Sequence, residues 1–365
     1  LNNLMEWDKF EKIYRIYKKK YDIRFCKVTD YDNLIYFIDN YWQKGHIFTK
    51  SKRLFDWQHF DKKKERYNFV IAVDKVSNEI HGVIGFIMSS IYDENIEKPI
   101  RWGTIWKVRD DVGVKGLGLA LKYYFEVNAP AKYVGGLGLS NYSKVINNKL
   151  GEQVGKMNLY YILNTEIERF VLIDNVNKEN KVPQNIVCKN KSLKEIKPEI
   201  FIANSQKYYS HIPEFKSPLY YMNRYAKHPI YNYKFIEINN EHNDAIACLI
   251  VRKCEANDSC GLFVVDYIGN GLELDGLYNE FQFLLQKYNA EFISFYEYGL
   301  NSEGIVAGGF TNSNSNEIVI PLYFEPFVKK HIDLDYHFYT KEDNVNIVIF
   351  KGDADQDRPN KLLKE

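Results

Sequence analysis

The sequence predicts an α/β (α+β) protein of two lobes, each a mixed, mostly antiparallel central sheet flanked by helices. Three observations predict it. The length of 365 residues exceeds one ordinary core and suits two domains. Apolar runs of strand length alternate with helix-period segments along the whole chain. The order hairpin, strand, helix, strand, helix, strand occurs twice, in the order of elements rather than in residue identity. That repetition reads as a structural duplication; two unrelated α/β halves are the other reading.

In the first half, Trp7 to Lys20 reads as a helix, and Tyr31 to Trp42 as another. A polar, aromatic stretch follows through Gly45, Phe48, Phe55 and Trp57. Asn68 to Asp74 and His81 to Met88 flank a Ser-Asn-Glu turn and read as a hairpin. Arg101 to Arg109 is a third β run, Leu119 to Asn128 a helix, Lys132 to Leu139 a strand, Tyr142 to Leu150 a helix and Met157 to Leu163 a strand. The polar stretch Asn175 to Glu199 reads as a linker or surface crossing. The expected organisation is therefore a first lobe over 1–174, a crossing segment over 175–199 and a second lobe over 200–365. In the second lobe, Tyr233 to Ile238 and Ala245 to Arg252 form the hairpin. Gly261 to Ile268, Glu291 to Tyr296, Ile318 to Phe324 and Asn344 to Phe350 read as strands, with a helix over Gly276 to Tyr288 and a short helical stretch from Gly304.

With 49 basic and 48 acidic side chains the net charge is +1, so no long-range field advertises nucleic acid or an anionic membrane. No stretch approaches the roughly 20 apolar residues of a membrane span. Leu1 to Lys20 lacks the apolar run and cleavage site of a signal peptide, and five cysteines form no disulfide framework. The expected setting is a reducing cytoplasm. Cys248, Cys254 and Cys260 match no zinc spacing. Asp353-x-Asp355-x-Asp357 begins like a calcium loop but lacks the glycine and the twelfth-place glutamate. No metal is expected. Aromatic residues at 16% fit either a compositional bias or ring-lined binding clefts.

The most informative stretch runs from Trp106 through Lys107, Val108 and Arg109 to the loop Asp110-Asp111-Val112-Gly113-Val114-Lys115-Gly116-Leu117-Gly118-Leu119-Ala120. It reads strand, glycine loop, helix. Glycines let backbone N–H groups approach an anion, and a helix N-terminus adds partial positive charge, so a phosphate or pyrophosphate is the expected guest. No Gly-Lys-Ser/Thr closes the loop, so it is not a Walker A motif, and its glycine spacing is not that of a dinucleotide-binding fold.

Lys115-x-x-Gly118-x-Ala120 resembles the acetyl-CoA motif Q/R-x-x-G-x-G/A of the GNAT acyltransferases, with Lys in the Gln/Arg place. The order of elements over residues 1–170 is similar to that family, and Ser140-Asn141 to Leu150-Gly151 resembles its later cofactor helix. The resemblance implies two GNAT-like lobes and an acyl-CoA co-substrate. It places the cofactor at Trp106, Lys107 and Val108 on the strand, at Val114 to Gly118 and Ala120 on the loop and helix, and at Ser140, Asn141 and Lys144 on the later helix. The oxyanion donors would lie near Lys107 and Val108. The family's usual tyrosine, the proton donor to the departing thiolate, falls near Asn147; Tyr142, Tyr160 and Tyr161 are substitutes or packed aromatics. Asp266-Tyr-Ile-Gly-Asn-Gly occupies the corresponding place in the second lobe without a basic residue, so one acyl-CoA site per chain is expected, in the first lobe.

More narrowly, the phrases Leu54-Phe-Asp-Trp57-Gln, Leu137-Gly-Leu-Ser140, Gly155 to Asn164, Ile320 to Phe327 and Gly352 to Asn360 resemble the two-lobed sugar N-acyltransferases of surface-polysaccharide (O-antigen, lipopolysaccharide) pathways. That resemblance implies transfer of an acetyl or 3-hydroxybutanoyl group to the amine of a nucleotide-linked amino-deoxy sugar, dTDP-3-amino-3,6-dideoxyhexose above all, by a monomer or homodimer. The alternatives are another amine (a UDP-amino sugar, a peptide or an aminoacyl-tRNA) and a non-catalytic CoA-binding module.

An amine attacks a thioester directly, so no Ser or Cys nucleophile is needed, only a base or water relay that leaves the amine neutral. Asp110, Asp111, His211, Asp266 and Glu297 are the acid–base candidates, with Asp266 and Glu297 preferred. Trp57, Tyr220, Tyr221, Tyr296, Tyr323 and Glu325 are the candidates for holding the acceptor in a cleft between the lobes, and Trp42 joins them as a stacking ring. Taken singly, each aromatic ring reads first as a core residue.

Overall fold

Strand β1 (Tyr21–Lys27) follows helix α1 (Asn2–Lys20), whose last turn carries Lys18, Lys19 and Lys20 where the helix dipole favours cations. A computed structural model describes residues 2–184, 186–313, 317–343 and 345–362. After β1 come α2 (Tyr31–Phe37), α3 (Lys52–His59), β2 (Arg66–Asp74), β3 (Ile80–Met88), β4 (Ile100–Val108), α4 (Leu117–Asn128), β5 (Tyr133–Leu137), α5 (Asn141–Lys149) and β6 (Gln153–Lys156). The chain continues through β7 (Asn158–Leu163), β8 (Ser192–Ile196), β9 (Tyr233–Asn239), β10 (Ala245–Ala256) and β11 (Ser259–Ile268). Helix α6 (Tyr278–Tyr288), β12 (Phe292–Tyr298), α7 (Ser302–Ala307), β13 (Thr311–Asn312), β14 (Asp335–Thr340) and β15 (Ile349–Phe350) complete the elements that position the site.

Helix α3 lies in the polar, aromatic stretch to which the sequence assigned no element. Ser51 caps it by accepting from the Leu54 N–H at 3.2 Å, and Leu54, Phe55, Gln58 and His59 bury one face. Pattern reading missed it because two of those four inward residues are polar. Helix α4 starts at Gly116, whose φ of +94° is open to glycine at little cost and whose missing side chain leaves the helix end uncapped.

The chain divides into two compact units. Unit 1 comprises Leu1–Gly155, Asp335–Asp343 and Arg358–Glu365; unit 2 comprises Lys156–Leu334 and Asn344–Asp357. Unit 1 holds a sheet in the order β1-β2-β3-β4-β5-β14-β6, and unit 2 a sheet in the order β13-β7-β12-β11-β10-β9-β8. Strands β1 to β4 and β8 to β11 run antiparallel, and each sheet then holds a parallel pair, β4 with β5 and β11 with β12. Read from β1 and from β8, the two sheets have one layout: an antiparallel run, a parallel neighbour, then two further strands.

That layout corrects three expectations. Met157 to Leu163 was expected in the first lobe; as β7 it pairs antiparallel with β12 of unit 2, from Phe292↔Leu163 to Glu297↔Asn158. Its counterpart in unit 1 is β14, which follows unit 2 in sequence and pairs with β5 from Tyr336↔Leu137 to Thr340↔Tyr133. Residues 175–199 lie inside unit 2, where Ser192–Ile196 pairs with β9 as an edge strand. Ladder hydrogen bonds are indifferent to sequence distance, so pattern reading assigned each strand to its nearest lobe. Ile318 to Phe324 contributes one isolated bridge (Asp174↔Val319) and a two-residue strand at Tyr323–Phe324, rather than a full strand.

In unit 1 the core lies between the sheet and α4: Val70, Ala72, Ile84 and Phe86 meet Leu117, Ala120, Leu121 and Phe125. In unit 2, Leu249, Val251, Leu262 and Val264 meet Phe281, Leu285, Ile305 and Phe310. No helix of the described residues is long and apolar enough to cross a membrane.

Candidate active site

The site of unit 1 begins as a parting of two strands. Strands β4 and β5 pair from Ile100↔Tyr133 to Gly103↔Gly136 and then diverge. Just there β4 carries one extra residue: Phe86 pairs with Gly103 and Ile84 with Trp106, leaving Thr104 and Ile105 opposite Gly85. The Arg109 N–H donates to the His81 carbonyl at 2.9 Å, which marks 81/109 and, by alternation, 83/107 as the hydrogen-bonded pairs of β3 and β4. The backbone groups of Trp106 and Val108 therefore point away from β3, into the opening. Of the two expected oxyanion donors, Val108 faces the opening and the Lys107 N–H faces the ladder with β3.

A cavity of about 170 Å³ fills the opening. Its walls are Gly103, Thr104, Ile105 and Trp106 of β4, Val134, Gly135 and Leu137 of β5, Lys122 and Phe125 of α4, Ser140, Ser143 and Asn147 at α5, together with Trp42 and His337. Glycine makes room at the vertex: a Cβ on Gly103 would meet only the Gly135 carbonyl at 3.8 Å.

The expected phosphate loop lies beside this opening. Gly113 (φ +60°) and Gly116 (φ +94°) both take left-handed backbone. By helix geometry the first-turn N–H groups of Leu117 and Gly118 have no intrahelical acceptor, and no side chain caps the end. The Tyr17 hydroxyl donates to the Lys115 carbonyl at 2.5 Å and pins the loop, while the Lys115 side chain is exposed and Val114 half-buried. Leu117 and Ala120 are fully buried, so their side chains belong to the core and only their backbone is available to a ligand. Gly118 lies against Trp106: a Cβ there would approach the indole Nε1 to 3.3 Å.

Charged neighbours of the loop are paired. Lys107 holds Asp110 at 2.7 Å. Arg109 holds Asp111 at 2.8 Å and Glu79 at 3.0 Å and lies 4.2 Å over the Tyr41 ring. Beside Arg109, Asp111 is held below the usual carboxylate range. Both acids are exposed partners of cations rather than buried proton carriers. Ser140 caps α5 by accepting from the Ser143 N–H at 3.1 Å, Asn141 is exposed, and Lys144 pairs with Asp335 at 2.8 Å.

Sequence reading missed a buried polar chain behind the cavity. His337 Nδ1 is hydrogen-bonded to Glu152; Lys122 stands 3.6 Å from Glu152 and 2.9 Å from Glu126; Arg101 pairs with Glu126 and lies 4.0 Å over the Phe125 ring. All but Glu126, itself well covered at 17% side-chain exposure, are below 9% exposed. Burial opposes ionisation of Glu126, and Lys122 and Arg101 outweigh it, holding that carboxyl down to about 2. Glu152 is also lowered, with burial outweighed by Lys122 and His337. The Asn147 Oδ1, buried at the cavity wall, has no hydrogen-bond partner among the described residues. No local signal pointed to this set, because β14 supplies His337 from 185 residues beyond Glu152.

In unit 2 the equivalent opening is filled. Strands β11 and β12 pair from Leu262↔Ile293 to Val264↔Phe295. Beyond that, β15 pairs with Glu297 and Tyr298, and the Gly352 N–H donates to the Val265 carbonyl at 2.7 Å. Asp266 is fully buried there, 2.8 Å from Lys216 Nζ and accepting from the Tyr225 hydroxyl at 2.7 Å and the Tyr267 N–H at 2.9 Å. Lys216 also stands 3.0 Å from Asp353, which burial and the Asp266 charge push up to about 6 against the pull of Lys216. Arg252 (2.7 Å), Lys351 (2.9 Å) and the Tyr233 hydroxyl (2.8 Å) surround Asp357. The acidic phrase thus locks the plug in place, and Asp266 is one of its ion-pair partners rather than a group open to a substrate.

Glu297 is 1% exposed and accepts from Asn158 Nδ2 and the Leu300 N–H, both at 2.9 Å; burial raises its pKa above the ordinary value. Tyr220, Tyr221 and Tyr296 are buried, and the Tyr296 hydroxyl donates to the Ile332 carbonyl at 3.1 Å. These rings are core. Tyr323 and Glu325 are half-buried, with the Tyr231 hydroxyl donating to Glu325 at 2.9 Å. In unit 1 Trp57 is half-buried 5.1 Å from the Tyr92 ring. His211 lies on the surface of unit 2, 4.0 Å from Glu273. The cavity brings together Trp106, Ser140 and the β4 backbone from the expected set, and of the expected acceptor residues Trp42 alone. Among the described residues the five cysteines are unpaired thiols, and no cluster of three metal-ligating side chains occurs.

The chain matches no family model and no curated protein. Among solved structures it is similar to a GCN5-related N-acetyltransferase from Anabaena variabilis, with a TM-score of 0.55 at 9% identity over 87% of this chain and 72% of that one. A probable N-acyltransferase of unknown function from Enterococcus faecalis gives 0.49 at 7% identity, covering 86% and 71%. The N-myristoyltransferase of Saccharomyces cerevisiae with bound myristoyl-CoA gives 0.45 at 10% identity, covering 88% and 79%. The first of these carries the conclusion, which concerns fold: this chain has the architecture of a GCN5-related N-acetyltransferase.

Proposed function

We propose that the chain is an acyl-CoA-dependent N-acyltransferase with one acyl-CoA site, in unit 1. The observation that carries this reading is the open β4–β5 parting, with its cavity and unpaired β4 backbone, beside a glycine-capped helix start. A thioester laid along β4 would meet the Trp106 and Val108 N–H groups, which would receive the carbonyl and stabilise the oxyanion as the amine adds. The Leu117 and Gly118 N–H groups and the Lys115 ammonium would receive the pyrophosphate. The filled opening in unit 2 supports a single site. The A. variabilis neighbour, named as an N-acetyltransferase, points to the same reaction class.

The acceptor is proposed on the resemblances spread along the chain. It is the amine of a dTDP-linked amino-dideoxyhexose, foremost dTDP-3-amino-3,6-dideoxyhexose, and the acyl group is acetyl or 3-hydroxybutanoyl. Such a small nucleotide-sugar partner suits a chain of net charge +1, and unpaired thiols suit the reducing cytoplasm where such acceptors occur.

The test incubates the protein with acetyl-CoA or 3-hydroxybutanoyl-CoA and dTDP-3-amino-3,6-dideoxyglucose and follows the acylated sugar by mass spectrometry. Amide product with release of CoA is expected. Tight acyl-CoA binding without transfer to any amine would leave a CoA-binding module, and absence of acyl-CoA binding would refute the site itself.

A further inference from the structure

We propose that His337 is the proton-transfer group of the unit 1 cavity, with Nδ1 held by Glu152 and Nε2 turned to the reacting atoms. The inference rests on the acyltransferase reading and adds a residue to it. Attack on a thioester by an amine generates an N–H proton that must leave, and the departing thiolate must gain one. Of the residues lining the cavity, two carry a basic nitrogen, His337 and Lys122. Lys122 is fully buried between Glu126 and Glu152, and its pKa is raised: burial lowers it, and the two carboxylates outweigh that. It is thereby fixed as a cation and cannot accept a proton. His337 remains.

The ring is placed by three features. Its strand, β14, sets His337 opposite Gly136, and a Cβ at Gly136 would collide with Nε2, so glycine there gives the ring its place beneath the β4–β5 vertex. Gly103, paired with Gly136 across the parallel ladder, leaves the space above the vertex open. Glu152 accepts from Nδ1–H, which leaves the Nε2 lone pair as the free acceptor and stabilises the imidazolium once the proton arrives. The charged groups facing the ring are Glu152 itself, after α5, and behind it Lys122 and Glu126 on α4 and Arg101 on β4. Glu152 acts through His337 and is a positioning residue. In the step, the amine nitrogen bonds to the thioester carbon, its proton passes to Nε2, the C–S bond breaks, and Nε2–H returns the proton to the thiolate sulfur.

Two measurements test this. The first is the rate of single-turnover transfer from acetyl-CoA. His337→Gln should lower that rate about 100-fold or more while acyl-CoA affinity stays within about threefold. Glu152→Gln should lower the same rate about tenfold at unchanged acyl-CoA affinity, since a carboxylate no longer orients the ring and favours the imidazolium. A His337→Gln protein with wild-type rate overturns the proposal and leaves the acyltransferase reading intact. Loss of transfer in the wild type on every amine, or of acyl-CoA binding, overturns both. The second measurement needs no folded variant beyond assignment: the ring ¹⁵N signals of His337 in the wild-type protein should shift when CoA is added. A His337 signal indifferent to saturating CoA overturns the proposal by itself.

Discussion

Gly118→Asp separates the phosphate loop from the stability of the fold. Gly118 is the second residue of α4, in the first turn, where an acidic side chain favours the helix by about 0.3–1 kcal/mol. Its Cβ position is 3.3 Å from the Trp106 indole nitrogen and 3.6 Å from Val108, tight but free of backbone. Folding stability should therefore change by less than about 1 kcal/mol. Ligand binding should not survive so well. A carboxylate about 6 Å from one phosphate, at an effective dielectric near 20, is repelled by about 3 kcal/mol, roughly a hundredfold in affinity. Gly118→Ala is the control, with the same Cβ and no charge; its CoA affinity should stay within about fivefold. Isothermal titration with CoA, alongside urea unfolding, reads both quantities. If Gly118→Asp binds CoA as the wild type does, the phosphate does not dock at α4 and the site has been misplaced.

Gly103→Val should fill the vertex of the opening without disturbing the fold, since only the Gly135 carbonyl lies within 4 Å of the added Cβ. The acyl group is displaced by about an ångström, so transfer should fall about 100-fold; unchanged kcat/KM would exclude this opening as the acyl site. Asp357→Ala leaves Arg252 and Lys351 buried without their carboxylate and should cost about 3–5 kcal/mol in urea unfolding, with CoA affinity unaltered. Glu126 gives a pH prediction. Its folded pKa of about 2 lies below the unfolded value, so its contribution is complete above about pH 4.5 and is lost as pH falls toward 2. Each pH unit between those values removes about 1.4 kcal/mol at most. Glu126→Gln should flatten the acid limb of the unfolding curve, and an unchanged limb would show that the Lys122–Glu126–Arg101 set does not hold the fold.

The strand–loop–helix from Trp106 to Asn128 was legible because everything it needs is local. Left-handed glycines, a helix start and apolar period fall within some twenty residues, and the structure places β4, Gly116 and α4 as the pattern implies. Asp266 was legible only in part. Its position at the end of an apolar run correctly signalled burial, but the partners that make it an ion-pair residue, Lys216 and Asp353, lie 50 residues before it and far downstream. Tyr220, Tyr221 and Tyr296 show the same limit: a ring that can stack a substrate and a ring that fills a core have the same sequence signature. Helix α3 was hidden because Gln58 and His59 face inward, with His59 Nδ1 bonded to the Phe86 carbonyl at 3.0 Å.

By itself the sequence determined the class of fold, the repeated order of elements and the anion-ready start of α4, since each follows from backbone preferences and short-range hydrophobic period. Only the tertiary structure decided which strands belong together. It moved β7 into the sheet of unit 2, brought β14 back into that of unit 1, and ran β15 through the parting of β11 and β12. Those pairings set one opening free and closed the other, and they delivered His337 to Glu152. The physical reason is that a β ladder and a buried ion pair join whatever the chain brings together, and neither leaves a mark on the residues next to it in sequence.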